Sequence, residues 1–422
     1  MILIDKKYIE LVSYEFLTVC GKTRVRFCDR QEASRLHENK LKGVSRLFTR
    51  RRKMNSKVVV YLRNKEIRPS DYYRFVQYID NLKETDITIR SSVPTKLDRF
   101  SLDHNKNKLV KLIANSLCYF CIIFTFFVGY FRDKFIDPDW IVVVREIFPV
   151  KIFPFSRLLL LCKVKQYDFI WDYDDSIIGL EMDKKESDIY CNYAKHIIVS
   201  TPYLKEQLPK SIQNKTKVLS TTDGALSDID LERINHIRNT RYKSKINIVW
   251  VATSSNLPNL IDILDYLDVS AKELKEKHRK ELELLVVCNN TINSNYEYLK
   301  INNITWSRDS AKNAILSAHI GIMPLIDNTF SRGKAGFKLV QYLSGGVPVI
   351  ASDVGYNKFV VDKNVGYIVQ QDNCKQWVDA ILSLSTDIKK WEKYSLSAKD
   401  RWEKDFSYDS HLLFWQELLL SK

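Results

Sequence analysis

Apolar residues in this chain gather into short continuous blocks separated by longer amphipathic or polar stretches. The blocks at 57–62 (Lys57-Val58-Val59-Val60-Tyr61-Leu62), 86–89, 140–144, 169–171 and 196–200 are rich in β-branched and aromatic residues. They are too short for helices and do not alternate, so they predict strands buried on both faces, as in a parallel sheet. A second series follows at 246–251, 284–287, 321–323, 347–351 and 365–369. Helical stretches between the strands make each series a βαβ succession. A helix is expected over 72–82, capped by Ser70 or Asp71, and another near Pro258. Two more are expected at 387–404 and 410–420. The polar stretch 223–244 is the natural linker between the two series.

At 422 residues with 45% hydrophobic content, the chain can fill two domain cores. The expectation is therefore α/β, with two Rossmann-like domains whose parallel sheets face each other across a cleft. The opening βα turn lacks G-x-G-x-x-G, so it carries no dinucleotide fingerprint. A net charge of +15 calls for an anionic partner. No zinc-ligand spacing, RNA-binding aromatic signature or repeated basic helix accompanies that charge, so nucleic acid is not expected. The eight cysteines are scattered and mostly in apolar contexts, which fits reduced core thiols in a cytosolic protein. No cleavable signal peptide is evident.

The densest chemistry lies in Ser331-Arg332-Gly333-Lys334-Ala335-Gly336-Phe337-Lys338-Leu339-Val340-Gln341-Tyr342-Leu343-Ser344-Gly345-Gly346 and the strand after it. A glycine loop opens a helix near Phe337 and a glycine pair ends it. Unpaired N–H groups at the helix start, with Lys334 and Lys338 beside them, form a cradle for an anion such as a nucleotide diphosphate. This segment resembles the donor-binding signature of family 4 glycosyltransferases, retaining enzymes of the GT-B fold. Agreement runs from about Ser331 to Gly366, and weaker similarity extends back to about Lys57.

The resemblance implies transfer of a sugar from a nucleotide-sugar to a saccharide or lipid-linked acceptor, in surface polysaccharide or glycolipid biosynthesis, with no cofactor and no metal. Its domain plan places an acceptor domain at 57–235, a donor domain at 236–405 and a returning C-terminal helix at 406–422. Donor-binding candidates are Thr253, Ser254, Arg332, Gly333, Lys334, Gly336, Lys338 and Gln341. The family usually has two glutamates eight positions apart; here those positions hold Gly333 and Gln341. Gln341 can still hydrogen-bond a ribose, but Gly333 cannot replace a carboxylate.

Three of the first-series strands end in polar clusters that an open parallel sheet gathers on one rim. Asp172, Asp174 and Asp175 are the catalytic candidates, with Asp172 nearest the position where many relatives have a histidine. Arg145 and Glu146 are candidates for holding the acceptor. Taken alone, Asp-Tyr-Asp-Asp also fits a metal motif or a helix cap. The missing glutamates leave open a non-catalytic nucleotide-sugar-binding subunit, or a sugar-nucleotide epimerase on the same fold.

Leu112 to Phe131 carries no charge and is long enough to span a bilayer. Spanning would put strands of one sheet on opposite sides of the membrane. A helix in the plane of an anionic membrane, at the inner face of the cell membrane, is the expectation, with a buried or partner-covered helix as the alternative. Residues 1–56 hold 14 Lys/Arg against 6 Asp/Glu, a local charge of +8. They read either as a basic extension or as a poorly packed segment before a natural start at Met54.

Overall fold

The computed structural model describes residues 55–102, 107–149, 151–178 and 182–421. The basic segment, apart from its last two residues, lies outside them. The chain divides into Met1–Met54 and Asn55–Lys422, and the fold is that of the second unit.

The first series forms a six-stranded sheet of β1 (Ser56–Leu62), β2 (Thr85–Ser91), β3 (Trp140–Val144), β4 (Asp168–Tyr173), β5 (His196–Val199) and β6 (Thr216–Val218), in the order β2-β1-β3-β4-β5-β6. The second forms another of β7 (Lys245–Val251), β8 (Glu281–Val287), β9 (Lys300–Ile304), β10 (Ile320–Met323), β11 (Val349–Ser352) and β12 (Gly366–Val369), in the order β12-β11-β10-β7-β8-β9. Every strand pair is parallel. The two Rossmann-like sheets expected from the sequence are both present. The edge strands β6 and β9 escaped the sequence pattern because they are short or polar: β9 reads Lys-Ile-Asn-Asn-Ile, with both asparagines exposed.

Four helices of the first domain matter to its rim: α1 (Pro69–Arg74), α2 (Lys108–Ile136), α3 (Pro154–Gln166) and α4 (Lys184–Tyr193). The helix expected over 72–82 breaks at Phe75, whose φ is −141°, and continues as a 3-10 turn. Burial drives the break, because Phe75 packs edge-on against Trp415 at 4.7 Å. Neither Ser70 nor Asp71 caps α1; its N-cap is Arg68, with no side-chain bond. Ser70 and Asp71 are committed elsewhere, to Asp174 and to the Asn64 amide.

α2 is the crossover between β2 and β3 and lies on the sheet. Among the described residues it is the one helix long and apolar enough to cross a membrane. Ala114, Cys118, Ile122, Phe126, Gly129 and Asp133 form its buried stripe, at spacings of three and four. Asp133 fixes that stripe to the domain. It accepts from Tyr61 at 2.6 Å, Arg90 at 2.7 Å and Lys163 of α3 at 2.5 Å. The outward face is apolar too: Leu117, Phe120, Phe124, Phe127, Phe131 and Phe135 are all exposed. Phe153 and Phe155, at the start of α3, extend that face.

The expected linker is ordered structure. α5 (Leu231–Tyr242) occupies most of it and buries Arg238 completely. That guanidinium donates to the carbonyls of Ile315, Leu316, Gly345 and Gly346, closing two helix C-termini that would otherwise leave acceptors unpaired. The second domain adds α6 (Leu257–Ile261), α7 (Phe337–Ser344) and α8 (Ile388–Asp405). The chain then returns to the first sheet through α9 (Tyr408–Leu420), whose Trp415, Leu418 and Leu419 join the core over β1 and β3. The Leu419 carbonyl accepts from Trp140 Nε1 at 3.1 Å.

Candidate functional site

Because all strands run parallel, their carboxyl ends share one rim in each domain, and the rims meet where the polar clusters lie. On the second domain, a helical turn (Thr329–Arg332) leads through Gly333, Lys334 and Ala335 to Gly336, the N-cap of α7. Gly336 has φ +65° and offers no side-chain cap, so the first amides of α7 are left for a ligand. Gly333 is required by proximity, since its φ is −80°. A Cβ there would lie 2.1 Å from Ser176 Oγ of the first domain. The position that holds a glutamate in the resembled signature is thus packed directly against the loop that carries Asp174 and Asp175.

Lys334 donates to the side chain of Asn256, in the turn after β7 that also holds Thr253 and Ser254. Thr253 is exposed and accepts from Asn256 at 2.8 Å. Lys338 is half-buried at the second position of α7. Burial and then the neighbouring Lys334 pull its ammonium down to about 8, against the opposing pull of Asp175. Lys334 is lowered by burial, again opposed by Asp175. Asp175 is pushed up to about 6 by burial and by Asp174, and is held down by Arg145, Lys334 and Lys338. The charges of the two lysines are thus felt at Asp175, whose loop meets the Gly333 turn through Ser176.

On the first domain, Arg145 has a left-handed backbone at φ +65°, held by a bond from its amide to the Asp172 carbonyl at 2.7 Å and by Trp171 Nε1 on its own carbonyl at 2.7 Å. Glu186 of α4 secures the following residues by accepting from the amides of Ile147 and Phe148. The Arg145 guanidinium donates to Asp174 at 2.8 Å and Asp175 at 3.4 Å, and Ser70 donates to Asp174 at 2.7 Å. Glu146 is salt-bridged to Arg145 at 3.5 Å.

Three sequence candidates sit differently from expectation. Asp172 is fully buried, with both oxygens taken by Arg74, so it is a structural ion pair and not a cleft carboxylate. Arg332 points outward and forms a two-point pair with Asp327 at 2.7 and 2.8 Å, more than half exposed. Gln341 is buried, and its amide donates to Asp223 at 2.8 Å. The metal reading of the aspartates needs several uncommitted carboxylates; Arg74 neutralises the first, Arg145 and Ser70 engage the second, and Arg145 also pairs with Asp175 at 3.4 Å. A helix cap fares no better, since the next helix starts at Lys184 with Asp183 as its cap.

Several contributors were missed. Ser176 and Asn256 immediately follow motifs the sequence does expose. Tyr73 and Phe337 join the domains at a ring distance of 4.5 Å, and Arg308 of the second domain stacks on Tyr72 at 3.7 Å and donates to the Glu66 carbonyl at 2.6 Å. No local sequence pattern announces these contacts, because each partner belongs to a different domain.

Two parallel-sheet domains with facing rims define the GT-B fold, and solved structures bear this out. A glycosyltransferase from Rickettsia africae ESF-5 is similar with a TM-score of 0.59 at 14% identity, over 87% of this chain and 99% of that one. Anabaena HepE in complex with UDP and glucose has a TM-score of 0.57 at 10% identity, over 87% of this chain and 100% of that one. The Thermosynechococcus elongatus sucrose-phosphate synthase has a TM-score of 0.57 at 12% identity, over 86% and 98%. Residues 247–387 match the family described as "Glycosyl transferases group 1", so the second domain is a glycosyltransferase domain of that group. No curated protein matches the chain by sequence.

If Asp172 is structural, Asp172→Ala strands a buried guanidinium and lowers stability by about 3–5 kcal/mol in urea unfolding. Arg74→Met/Asp172→Leu together should cost much less. A stable Asp172→Ala protein that had lost only turnover would return Asp172 to the catalytic set.

Proposed function

We propose that the protein is a retaining glycosyltransferase that moves a sugar from a nucleotide-sugar to a saccharide or lipid-linked acceptor. We place it in the assembly of a surface polysaccharide or glycolipid at the inner face of an anionic membrane. The observation that carries the reading is the uncapped N-terminus of α7, with Lys334 and Lys338 beside it and Asp175 opposite, inside a domain of the glycosyl transferases group 1 type. In this reading the α7 amides and the two lysines hold the diphosphate and offset the charge that grows on it as the glycosidic bond breaks. No metal is needed for that step. Thr253 and Ser254 close the donor side. Asp175 faces the sugar and takes the proton of the acceptor hydroxyl, while Arg145 and Ser70 keep Asp174 turned away from that task. Arg332 and Gln341 play supporting parts outside the cleft.

HepE was solved with UDP and glucose, so UDP-glucose is the first donor to try. Incubation with UDP-sugars and a panel of saccharides or lipid-linked saccharides should release UDP with a labelled product, and EDTA should not stop it. Donor binding without turnover would mark a non-catalytic subunit. Interconversion of the nucleotide-sugar would mark an epimerase.

Lys338 gives the cradle a pH dependence. A cation whose proton is held only to about 8 is charged at neutral pH and lost as pH rises through that value. UDP affinity measured by calorimetry should therefore fall on going from neutral to alkaline pH, by about tenfold or more, the worth of one charge-assisted hydrogen bond of ~1.5 kcal/mol. Lys338→Met should bind more weakly at neutral pH and lose this dependence; an unchanged slope would place the titrating charge elsewhere.

The exposed face of α2, flanked by Lys108, Lys111, Arg132 and Lys134, supports contact with an anionic membrane. Co-sedimentation with phosphatidylglycerol vesicles should exceed that with neutral vesicles. Phe124→Ser/Phe131→Ser should weaken it by at least about tenfold, since each buried aromatic contributes ~2 kcal/mol. Equal binding by this variant would sink the α2 interface.

A further inference from the structure

A groove of about 390 Å³ lies between the carboxyl ends of β1 and β2 and the flank of α2. Its volume falls in the usual range for small-molecule sites. Its two walls differ in chemistry. The side from the loops after β1 and β2 is mainly polar, with Lys65, Glu66, Ser91, Ser92 and Thr95 around Val93 and Pro94; the α2 side is mainly apolar, with Phe120, Cys121 and Phe124 beside Thr125. Phe120 and Phe124 stack one helical turn apart, with ring centres 6.4 Å apart and planes 14° from parallel, and both continue into the exposed apolar face of α2.

The polar wall is already built. Asn64 is buried and holds the loop after β1, accepting from the amides of Glu66 and Ile67 and donating to the Val93 carbonyl at 2.9 Å and to Thr95 Oγ1 at 3.3 Å. Asp71 fixes the Asn64 amide in turn, at 2.7 Å. The same loop leads to Ser70 and so to Asp174, and its Glu66 carbonyl is bonded to Arg308 of the second domain. One side of the groove therefore continues into the apolar face of α2, and the loop on its other side runs on to Ser70, which donates to Asp174.

We propose that this groove binds the hydrocarbon-linked end of the acceptor: an amphiphile whose chain lies against Phe120, Cys121 and Phe124 and whose hydroxyl-rich head passes Ser91 and Thr95 toward Asp175. The inference rests on the transferase reading and narrows its acceptor to a saccharide carried on a hydrocarbon chain. A wholly apolar ligand would desolvate Lys65, Ser91 and Thr95 without replacing their hydrogen bonds. A free sugar would leave the aromatic wall in water. An amphiphile satisfies both walls, and it arrives from the side of α2 that a membrane would cover.

Cys121 provides the test, because it is half-buried within the groove, whereas Cys162 on α3 is exposed. The full chain is treated with iodoacetamide and each cysteine is followed by peptide mass spectrometry. The probes are decyl maltoside below its micelle-forming concentration, maltose, decanol and dihexanoyl phosphatidylglycerol. Decyl maltoside should slow Cys121 by about fivefold or more near saturation, as occupancy demands. Cys162 should be unaffected, and maltose and decanol should give little protection. Ser91→Trp, which fills the polar wall, should abolish the protection; Phe135→Ser, on the outer face of α2, should leave it.

Equal protection by decanol or by the phospholipid would mean that the groove takes any lipid chain, which overturns the proposal. So would protection that survives Ser91→Trp and is lost in Phe135→Ser. The measurement uses no donor, so it is separable from turnover. Sugar transfer without Cys121 protection sinks the groove and leaves the transferase reading standing. Protection without transfer to any acceptor sinks the transferase reading, and with it the groove's role as an acceptor site.

Discussion

The buried pair between Arg74 and Asp172 is the constraint on which the rest of the cleft hangs. Arg74 comes from α1, Asp172 from the penultimate position of β4, and the same guanidinium donates to the Leu219 carbonyl at 2.5 Å and to Thr221 at 3.3 Å on the segment leaving β6. Three stretches distant in sequence are thereby held at one point. With both charges out of water, loss of either partner would be far more costly than loss of the pair. Beyond that point the chain has little choice: Tyr173 ends the strand, and Asp174 and Asp175 emerge at a fixed place opposite the second domain. A residue that looked like chemistry in the sequence serves the chemistry by holding its neighbours.

The sequence revealed what is encoded locally. Double-sided burial made the interior strands readable, and the glycine-lysine loop showed its purpose because helix termini, glycines and cations have meaning at short range. Of the four edge strands, β2 and β12 kept enough apolar residues to be read, whereas β6 has only three residues and β9 is mostly polar. Asp172, Arg332 and Gln341 were misplaced because sequence gives the identity of a side chain but not its partner. Asp172 met a buried arginine nearly a hundred residues earlier, and Gln341 met Asp223 from the other side of α5. The linker deceived in a similar way, since a polar stretch can be a helix when one of its charges is used to close other helices, as Arg238 does.

The loss of carboxylate at Gly333 also has a steric reading. Ser176 occupies the space where a larger side chain would stand, so the two domains approach more closely here than a glutamate would permit. The same approach brings the loop of Asp175 within electrostatic reach of Lys334 and Lys338. The polar anchor of α2 works by the same economy of position. Asp133 satisfies three donors on the inward side and so pins the helix to the domain, while the middle of its outer face, from Leu117 to Phe131, is mainly apolar.

The return of α9 to the first sheet has a consequence for how the molecule comes into being. Trp415 and Leu419 complete a core whose other members lie in β1 and β3, yet the whole second domain stands between them in the chain. Domains ordinarily fold in the order in which they leave the ribosome. Here the first to emerge must wait with Phe75 and Trp140 uncovered until the second has been made. The earliest strands are then the last to be sealed, and the stretch of synthesis in between is when this protein has most need of a chaperone.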